Sequence, residues 1–443
     1  MKQNRLKAII KEHYPALSVM LLILIFSVIA MKKLGVQYTL YSDDFSYVLA
    51  GIEFANSGTV TMNNSISALV MPGMPFFIGL FSLAFGEGIG LWIALKIAWI
   101  IMGAMTSWFV YKSVRIFAPR WCAAAAMCLL MSPDFIWGNN LILTETPFML
   151  MLSIMIYETF MMAKDKKWKH FIWGTAAFFC ALMLKANIGL YPLFALFYLI
   201  IKKYPIKKLL LQSLVLLMVL CSFIVPWSIR NNKIYDAFIP LTFGSGNPEL
   251  LGTYQGYGYP DDNLDYETYV NKPMQEVLKK YEKADGTIEP QVKWYTDQIR
   301  DSLKAEYRKS VWWNTNPKSM LISYLIIKPR NMIFNNVFCW KELFVNANQF
   351  TFKIRYIELS VIFLGILIAL ANRKFRKEYL FLIILYIVNI YLYASTYSFD
   401  RYAQPFLIIR FIIFGISLYG IKMLLLQTGK EYVKTDGRSH KKN

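Results

Sequence analysis

Long apolar segments constrain the fold of this chain more than any other feature. Segments such as Leu17–Met31, Ile89–Val110 and Phe406–Leu426 carry at most two charged residues each. A helix needs about 20 apolar residues to cross the roughly 30 Å of hydrocarbon in a bilayer, and these segments approach or exceed that length. With 56% hydrophobic residues overall, the composition is too apolar for a soluble protein of this size. We therefore predict an all-α polytopic membrane protein.

The positive net charge of +20 is distributed as small Lys and Arg clusters between the apolar segments. Such clusters are typical of signals that orient membrane helices, with positive charge on the cytoplasmic side. They predict membrane lipids, and not nucleic acid, as the charged partner. The three histidines and five cysteines are scattered without metal-ligand or paired spacing, so neither a metal site nor a disulfide framework is expected.

The orientation of the helices depends on the segment Pro72–Phe85, which is apolar but only about fourteen residues long. That length favours an interfacial or re-entrant element over a membrane span. If the segment does not cross, the basic clusters in residues 112–120, 164–169, 202–208 and 373–377 all face the cytoplasm together with the N-terminal one. If it does cross, those clusters lie outside, which the positive-inside rule disfavours. The first alternative predicts about ten or eleven transmembrane helices with both termini cytoplasmic.

The predicted spans divide the chain into four parts. Residues 1–228 are an N-terminal transmembrane catalytic module, whose first outer loop is 32–88. Residues 229–350 are one large extracytoplasmic region, residues 351–428 are the C-terminal transmembrane helices, and residues 429–443 are a basic cytoplasmic tail. The spans are predicted, to within a few residues, at Tyr14–Met31, Ile89–Tyr111, Trp121–Gly138, Thr144–Ala163, His170–Leu184, Ile188–Ile201, Leu209–Trp227, Ile354–Ala371, Tyr379–Tyr397 and Ala403–Leu426.

Short helices are also predicted outside the spans. In the first outer loop, apolar residues recur at helical spacing between Phe45 and Ala55, which predicts a helix lying on the membrane surface. In the large outer region, residues 266–283 and 292–313 have helical patterns. Met320–Phe338 has the pattern of an interfacial helix that is interrupted at Pro329.

The predicted topology brings an unusual set of polar residues to the outer ends of the helices. Asp43 and Asp44 follow the first span, and Glu145 precedes the fourth. A charge near hydrocarbon is costly unless it is paired or binds a ligand. The remaining members are Lys185, Arg230, Arg401 and Tyr402 at the ends of spans, with Lys96 and Arg410 in the outer halves of spans.

Carboxylates beside Lys and Arg at the outer membrane surface suggest sugar transfer from a lipid-linked phosphate. A carboxylate can be the general base that deprotonates an acceptor hydroxyl. Cations stabilise the charge on the departing phosphate, and an arginine binds phosphate through two parallel hydrogen bonds. Asp43, Asp44 and Glu145 are therefore the candidate catalytic residues. The candidate ligands of the donor phosphate are Lys96, Lys185, Arg230, Arg401, Tyr402 and Arg410.

The acidic residues also have a structural interpretation. Asp43 and Asp44, together with Ser42, could cap the surface helix. Glu145 could stabilise the first turn of the fourth span, where a carboxylate is favoured by the helix dipole. The loop 252–262, rich in tyrosine and acids, is typical of a sugar-stacking surface and equally of an ordinary exposed loop.

The basic residues have alternatives as well. Lys185 and Arg230 could be anchors at the membrane interface. Lys96 could extend its side chain to the lipid headgroups. Arg401 could pair only with Asp400, its neighbour in the sequence.

Several short motifs occur in the order seen in a known superfamily. Together they resemble the GT-C superfamily of polyprenyl-phosphate-sugar-dependent transferases, near the protein O-mannosyltransferases of glycosyltransferase family 39 and the aminoarabinose lipid A transferases. The motifs are Ser42-Asp43-Asp44-Phe45-Ser46-Tyr47, Met71-Pro72-Gly73-Met74-Pro75, Thr144-Glu145-Thr146-Pro147, Pro226-Trp227-Ser228-Ile229-Arg230-Asn231 and Arg401-Tyr402-Ala403-Gln404-Pro405.

The resemblance implies a GT-C fold and inverting transfer on the extracytoplasmic face, from a polyprenyl monophosphate sugar and without a nucleotide sugar. It makes Asp43 the expected base, because Asp43 matches the first acid of the family's Asp-Glu pair. Asp44 stands where Glu is commoner, and Lys96 where Arg is frequent. Relatives with monophosphate donors generally need no metal, so no cofactor is expected, although Asp43, Asp44 and Glu145 could hold a divalent cation.

We therefore predict a multi-pass cell-membrane glycosyltransferase that moves a hexosyl or pentosyl group from a polyprenyl-phosphate carrier to a hydroxyl of a lipid, glycan or protein acceptor. The main alternative is a flippase or transporter of lipid-linked sugars. A flippase would share the basic residues at the outer ends of the helices. It would also have broken or charged helices at mid-bilayer and internal pseudo-symmetry, which the sequence lacks. A polymerase or ligase with a pyrophosphate donor is a third possibility and would require a metal.

Overall fold

The computed structural model describes residues 2–439, with side chains for residues 11–427. The basic side chains of Lys2, Arg5 and Lys7 and the predicted basic tail 429–443 lie outside the residues whose side chains are described. The described residues form helices and one short hairpin, in which β1 (Thr61–Met62) pairs with β2 (Ser65–Ile66). The helices are α1 (Lys2–Leu34), α2 (Asp43–Ser57), α3 (Gly73–Phe85), α4 (Ile89–Arg115), α5 (Arg120–Cys128), α6 (Pro133–Gly138), α7 (Glu145–Asp165), α8 (Trp168–Leu184), α9 (Tyr191–Ile201), α10 (Ile206–Tyr235), α11 (Gly246–Gly252), α12 (Lys272–Tyr281), α13 (Pro290–Thr315), α14 (Pro317–Ile322), α15 (Lys328–Phe334), α16 (Ala347–Asn372), α17 (Arg376–Ala394), α18 (Asp400–Ala403) and α19 (Leu407–Ser439).

Seven helical segments of the described chain are long and apolar enough to cross a membrane, judged by length and composition. In a helix of this kind the internal backbone N–H and C=O groups are hydrogen-bonded to each other, which is required in hydrocarbon because no water is present to bind them. The predicted all-α polytopic membrane fold is confirmed. The segments are Lys11–Leu34, Ile89–Arg115, Glu145–Asp165, Ile206–Tyr235, Ala347–Asn372, Arg376–Ala394 and Asp400–Gln427.

The other three predicted spans fold as shorter helices. The segment predicted at Trp121–Gly138 is divided into α5, a 3-10 turn and α6, because Ser132 has an extended backbone (φ −63°, ψ 150°) before Pro133. A residue before proline prefers this conformation. The helix α8 has 17 residues, and α9 follows a 3-10 turn at Ala186–Leu190. Because α3 has only 13 residues, the segment Pro72–Phe85 is too short to cross the hydrocarbon alone.

A helix forms where a surface helix was predicted: α2 lies in the connection between α1 and α4 and packs against α3. The helix begins at Asp43 and ends before Gly58, whose left-handed backbone (φ 68°) is typical of a helix C-terminus. The two helices approach closely at Gly51, where an added Cβ would lie 2.3 Å from Cγ2 of Ile78. Glycine therefore allows α2 and α3 to pack closely at the middle of α2.

The region formed by α11–α15 is organised around Arg308 of α13, which is fully buried. Its Nε donates to Thr253 Oγ1 at 2.8 Å, and its Nη1 donates to Asp262 Oδ1 at 2.8 Å. The guanidinium also lies 3.7 Å from the centre of the Tyr254 ring. The loop 252–262 therefore contributes part of its aromatic and acidic side chains to the packing of α11–α15, which we call the outer region after its predicted position.

One predicted interruption is wrong, because α14 and α15 belong to a continuous helix over residues 317–334. The residues before Lys328, Ser323–Ile327, form a π turn. A π turn changes the hydrogen-bond register locally, so the helix accommodates the missing N–H and the ring of Pro329 without ending. Helix breaking by proline was predicted from the sequence alone, and tertiary packing overrides it here.

Lys328, at the start of α15, is a fully buried lysine outside the spanning segments. Its Nζ donates to the backbone oxygen of Thr396 at 2.9 Å and lies 3.5 Å from the centre of the Tyr324 ring. Burial, with a smaller contribution from the Lys309 charge, lowers the pKa of Lys328 from 10.5 to about 7. A desolvated ammonium with no carboxylate partner favours the neutral amine.

This pKa predicts a pH-dependent stability. Between about pH 7 and pH 10 the unfolded chain holds a proton on Lys328 that the folded chain lacks, so the free energy of unfolding rises with pH in this window. We expect the melting temperature of the wild type to rise by a few degrees across it, and the Lys328→Met variant to lose this rise. The exposed Lys318 of α14 gives the matched control, Lys318→Met. Equal pH profiles for wild type and Lys328→Met would contradict the prediction.

Candidate active site

The first acidic residue of the pair, Asp43, begins α2 and remains accessible. About half of its side chain (47%) is exposed, and its Oδ2 accepts a hydrogen bond from Arg401 Nη1 at 2.7 Å. The alternative in which Asp43 caps the helix is not observed, since the N-cap is Ser42 and no side chain caps the helix. Asp43 is thus a carboxylate that is held by one cation and open to a further partner.

The second acidic residue, Asp44, is fully buried and has a structural environment. Its Oδ2 accepts from the backbone N–H of Leu40 at 2.7 Å, and its Oδ1 accepts from those of Ser42 and Phe45 at 3.3 and 3.0 Å. These bonds fix the turn that leads into α2. Asp44, predicted as a catalytic residue, therefore has both oxygens occupied by the backbone.

Glu145 and Lys185 come from adjacent ends of α7 and α8. Glu145 is the first residue of α7, and Lys185 directly follows the last residue of α8. Lys185 Nζ donates to Glu145 Oε1 at 3.0 Å, and Glu145 is buried. The two residues form an ion pair that joins the helix ends, as expected if both are functional residues at the same end of the bundle.

Arg401 connects this ion pair to Asp43. It lies on α18, the short helix that precedes α19, and its side chain is largely buried. The Nε atom donates to Glu145 Oε1 at 2.9 Å, while Nη1 donates to Asp43 Oδ2. The guanidinium does not pair with the carboxylate of Asp400, which instead accepts from the backbone N–H of Arg401. The result is a line of alternating charges from Lys185 through Glu145 and Arg401 to Asp43, called here the ion network.

Tyrosines surround the ion network. Tyr402 lies with its ring 5.7 Å from Lys185 Nζ and stacks on Tyr393, with centroids 4.9 Å apart. Tyr47 is buried one helical turn after Asp43 and feels the charges of Asp43 and Arg401. Burial, and then the Asp43 charge, raises the pKa of Tyr47, so its hydroxyl keeps its proton and can donate a hydrogen bond.

Lys96 is not part of the ion network, contrary to the sequence-based prediction. Its Nζ donates to the backbone oxygen of Tyr38 at 2.7 Å and to that of Asn140. The side chain is buried, with only 1% of its surface exposed. Lys96 therefore joins the loop before α2 to the loop before α7, and the alternative of a side chain extended to lipid headgroups is also wrong.

Arg230 has a different structural role from the predicted one. Its Nη1 donates to the backbone oxygen of Ser67 at 3.0 Å and its Nη2 to that of Val60 at 3.2 Å. The guanidinium lies over the ring of Trp227 at 4.7 Å. Arg230 thus anchors the β1–β2 hairpin to α10, and its donors are occupied by backbone carbonyls.

Arg410 is likewise occupied in the helix bundle. Its Nε donates to Glu358 Oε1 at 2.9 Å, its Nη2 pairs with Glu358 Oε2, and its Nη1 donates to the backbone oxygen of Ile333 at 2.8 Å. Both charged residues are buried. The predicted phosphate ligand is therefore half of a structural ion pair that joins α19 to α16.

Sequence reasoning missed several buried polar residues. Glu358 could have been found, because a buried arginine in a predicted span requires an anion and Glu358 lies in the neighbouring C-terminal span. Tyr47 could have been found as the residue one turn after Asp43. The pair of Asp134 and Arg355, whose atoms Oδ2 and Nη2 are 2.8 Å apart, could have been found in the same way, because each residue is a charge inside a predicted span and requires a partner.

The arrangement of acidic residues does not fit a divalent cation. No group of three or more His, Cys, Asp or Glu side chains that could hold a metal occurs among the residues described. Asp44 accepts from backbone N–H groups, and Glu145 accepts from Lys185 and Arg401. Only Asp43 has a carboxylate oxygen available, whereas calcium and magnesium sites require several oxygen ligands.

These features define a polytopic membrane protein with a buried ion network at one end of its helices, and comparisons with known proteins identify the class further. Residues 70–229 match the family model described as dolichyl-phosphate-mannose-protein mannosyltransferase. No curated protein matches the chain in sequence.

Two solved structures match the chain over more than nine tenths of its length. The archaeal oligosaccharyltransferase AglB from Archaeoglobus fulgidus, in complex with an inhibitory peptide and a dolichol-phosphate, is 13% identical, with 96% of this chain and 52% of that chain covered and a TM-score of 0.53. The chain thus spans about half the length of that enzyme. ArnT from Cupriavidus metallidurans, bound to undecaprenyl phosphate, is 13% identical, with 93% of this chain and 78% of that chain covered and a TM-score of 0.42.

The likeness to AglB confirms the predicted GT-C fold. Together with the family match over residues 70–229, it also confirms the resemblance that the sequence motifs indicated. The chain therefore has a GT-C fold, and its residues 70–229 are similar to the mannosyltransferase family.

Proposed function

We propose that this protein is an inverting glycosyltransferase that moves a sugar from a polyprenyl-phosphate carrier to an acceptor hydroxyl on the extracytoplasmic face of the cell membrane. The observation that carries the proposal is the ion network, in which Asp43 is half-exposed while Glu145 is buried between Arg401 and Lys185. The acceptor is a hydroxyl of a lipid, a glycan or a protein.

The geometry supports a base role for Asp43. In a single displacement, Asp43 takes the proton of the acceptor hydroxyl while the acceptor oxygen bonds to the anomeric carbon. The bond between that carbon and the phosphate oxygen breaks, and polyprenyl phosphate departs with the electron pair. The configuration at the anomeric carbon inverts. General base catalysis of this kind contributes about a hundredfold to ten-thousandfold.

The cations of the ion network are suited to the departing phosphate. Glu145 Oε1 accepts from both Arg401 Nε and Lys185 Nζ, which orients the two cations towards the same region. Preorganised cations that face developing negative charge stabilise the transition state without reorganisation. The neutral hydroxyls of Tyr47 and Tyr402 add donors beside them. Glu145 is therefore a positioning residue, and Arg401 and Lys185 are the phosphate-binding residues.

The proposed side of the membrane follows from the distribution of basic residues. Glu145 and Lys185 lie at one end of α7 and α8, and the basic cluster 164–169 lies between the opposite ends of the same helices. The positive-inside rule assigns that cluster to the cytoplasm, so the ion network is extracytoplasmic and both termini are cytoplasmic. A polyprenyl-linked donor is supported by the dolichol-phosphate in the complex of the archaeal neighbour.

The proposal is tested with purified protein in lipid nanodiscs. Polyprenyl-phosphate sugars are supplied with a mixture of acceptors, and the release of free lipid phosphate and the anomeric configuration of the product are followed. We expect release from a monophosphate donor, with inversion. Release from nucleotide sugars, retention of configuration, or movement of the intact lipid-linked sugar across liposomes without release would contradict the proposal. The last of these results would identify a flippase.

A further inference from the structure

The outer region touches the active site through the short loop of residues 395–399, which joins α17 to α18. Gln255, which follows α11, holds this loop at two points. Its Nε2 donates to the backbone oxygen of Ser398 at 2.8 Å, and its Oε1 accepts from the backbone N–H of the same residue at 2.7 Å. Two antiparallel amide bonds fix both the position and the orientation of a peptide unit.

Two further contacts from the outer region hold the same loop. Lys328 Nζ donates to the backbone oxygen of Thr396, and the backbone oxygen of Lys328 accepts from Ser398 Oγ at 3.1 Å. Gly252 lies against the loop so closely that an added Cβ would be 1.7 Å from the oxygen of Thr396. The loop is thus packed directly on the backbone of the outer region.

Asp400 directly follows this loop, and Arg401 is the next residue. The backbone of Phe399 is extended, and its oxygen accepts from the N–H of Tyr402 at 3.1 Å. This hydrogen bond forms the first turn of α18. A displacement of Ser398 is therefore transmitted through two residues to the guanidinium that joins Asp43 to Glu145. Catalytic groups displaced by about 1 Å lose on the order of a hundredfold in rate.

We propose that Gln255 is a positioning residue that couples the outer region to the active site by fixing the loop from which Arg401 extends. The expected effect on the transfer rate rests on the proposed function, whereas the contact between Gln255 and the loop does not. Gln255 is only partly buried, so water can replace its two hydrogen bonds to Ser398. Its loss is therefore expected to change the position of the loop without unfolding the protein.

The test uses the full-length protein with Gln255→Leu, which has a similar size and makes neither hydrogen bond. The matched control is Gln298→Leu. The Oε1 of Gln298 accepts from the backbone N–H of Asn247 at 3.0 Å within the outer region, and among the described residues Gln298 has no hydrogen bond to the loop. Hydrogen exchange of the peptide that contains residues 396–403 measures the contact independently of activity. Transfer kinetics then measure its consequence for Arg401.

We expect faster exchange in Gln255→Leu, an unchanged melting temperature, and a kcat that falls by about tenfold to a hundredfold, while Gln298→Leu resembles the wild type. In an Arg401→Lys background the additional effect of Gln255→Leu should disappear, because both changes act on one interaction. Unchanged exchange, faster exchange with unchanged kcat, or fully additive effects would overturn the inference. If the wild type transfers no sugar, the proposed function fails, but the contact can still be tested. Faster hydrogen exchange of a peptide containing Asp43 in Gln255→Leu would then show that Gln255 orders the ion network, and unchanged exchange would show that it does not.

Discussion

Replacing Asp43 by asparagine is expected to reduce sugar transfer by about a hundredfold to ten-thousandfold, the range that a general base contributes. Asparagine has the size of aspartate and retains an oxygen that can accept from Arg401 Nη1, which is 2.7 Å from Asp43 Oδ2 in the wild type. It cannot take a proton from an acceptor hydroxyl. The loss should therefore appear in kcat, while binding of polyprenyl phosphate and the melting temperature stay close to those of the wild type.

The matched control lies on the same helix. Glu53 of α2 is exposed, and we expect Glu53→Gln to leave transfer unchanged. Full activity of Asp43→Asn would show that the base is another group and would remove the basis of the proposed mechanism. A large loss in thermal stability of Asp43→Asn would also be inconsistent with the half-exposed position of this side chain.

Asp44 provides a contrast within the same pair of residues. Its oxygens accept from three backbone N–H groups, so its contribution is to the turn that holds Asp43 at the start of α2. Hydropathy could not separate the two acids, because they are identical residues at adjacent positions of a short connecting segment, and only the family resemblance made Asp43 the expected base. Only the backbone path before α2 determines which carboxylate turns inward.

The predicted site residues that the structure brings together are those at helix ends. Membrane topology places Asp43, Glu145, Lys185 and Arg401 at the same end of the bundle, and the structure brings all of them into one ion network. Hydropathy and charge patterns determine the end of a helix at which a residue lies, so this part of the site was predictable.

The predicted site residues that lie outside the ion network are placed by lateral packing, which hydropathy does not encode. Lys96 binds carbonyl groups of Tyr38 and Asn140, and Arg230 binds the β1–β2 hairpin. Carbonyl groups at loop ends are hydrogen-bond acceptors whatever the side chain, so no sequence pattern identifies them as partners. The pairing of Arg410 with Glu358 is a side-chain contact and was in principle accessible to sequence reasoning.

The second large effect is expected at Arg401. In Arg401→Lys the charge remains, but a lysine has no planar fork that can reach Glu145 and Asp43 from two different nitrogens. We expect a reduction of transfer by about a hundredfold to a thousandfold, the effect of removing one preorganised donor from a site of developing charge. Binding of polyprenyl phosphate should weaken as well, because the guanidinium is one of the two cations oriented by Glu145.

Arg230→Lys is the discriminating control for this prediction. Arg230 is also an arginine at a helix end and occurs in one of the motifs shared with the superfamily, but its donors bind the carbonyls of Ser67 and Val60. We expect Arg230→Lys to lower the melting temperature through the hairpin contact while the transfer rate stays within a few-fold of the wild type. Equal losses of transfer in Arg401→Lys and Arg230→Lys would show that the ion network is not what determines the transfer rate. A selective loss in Arg401→Lys would instead attribute catalysis to the geometry of the network, since the two substitutions make the same chemical change.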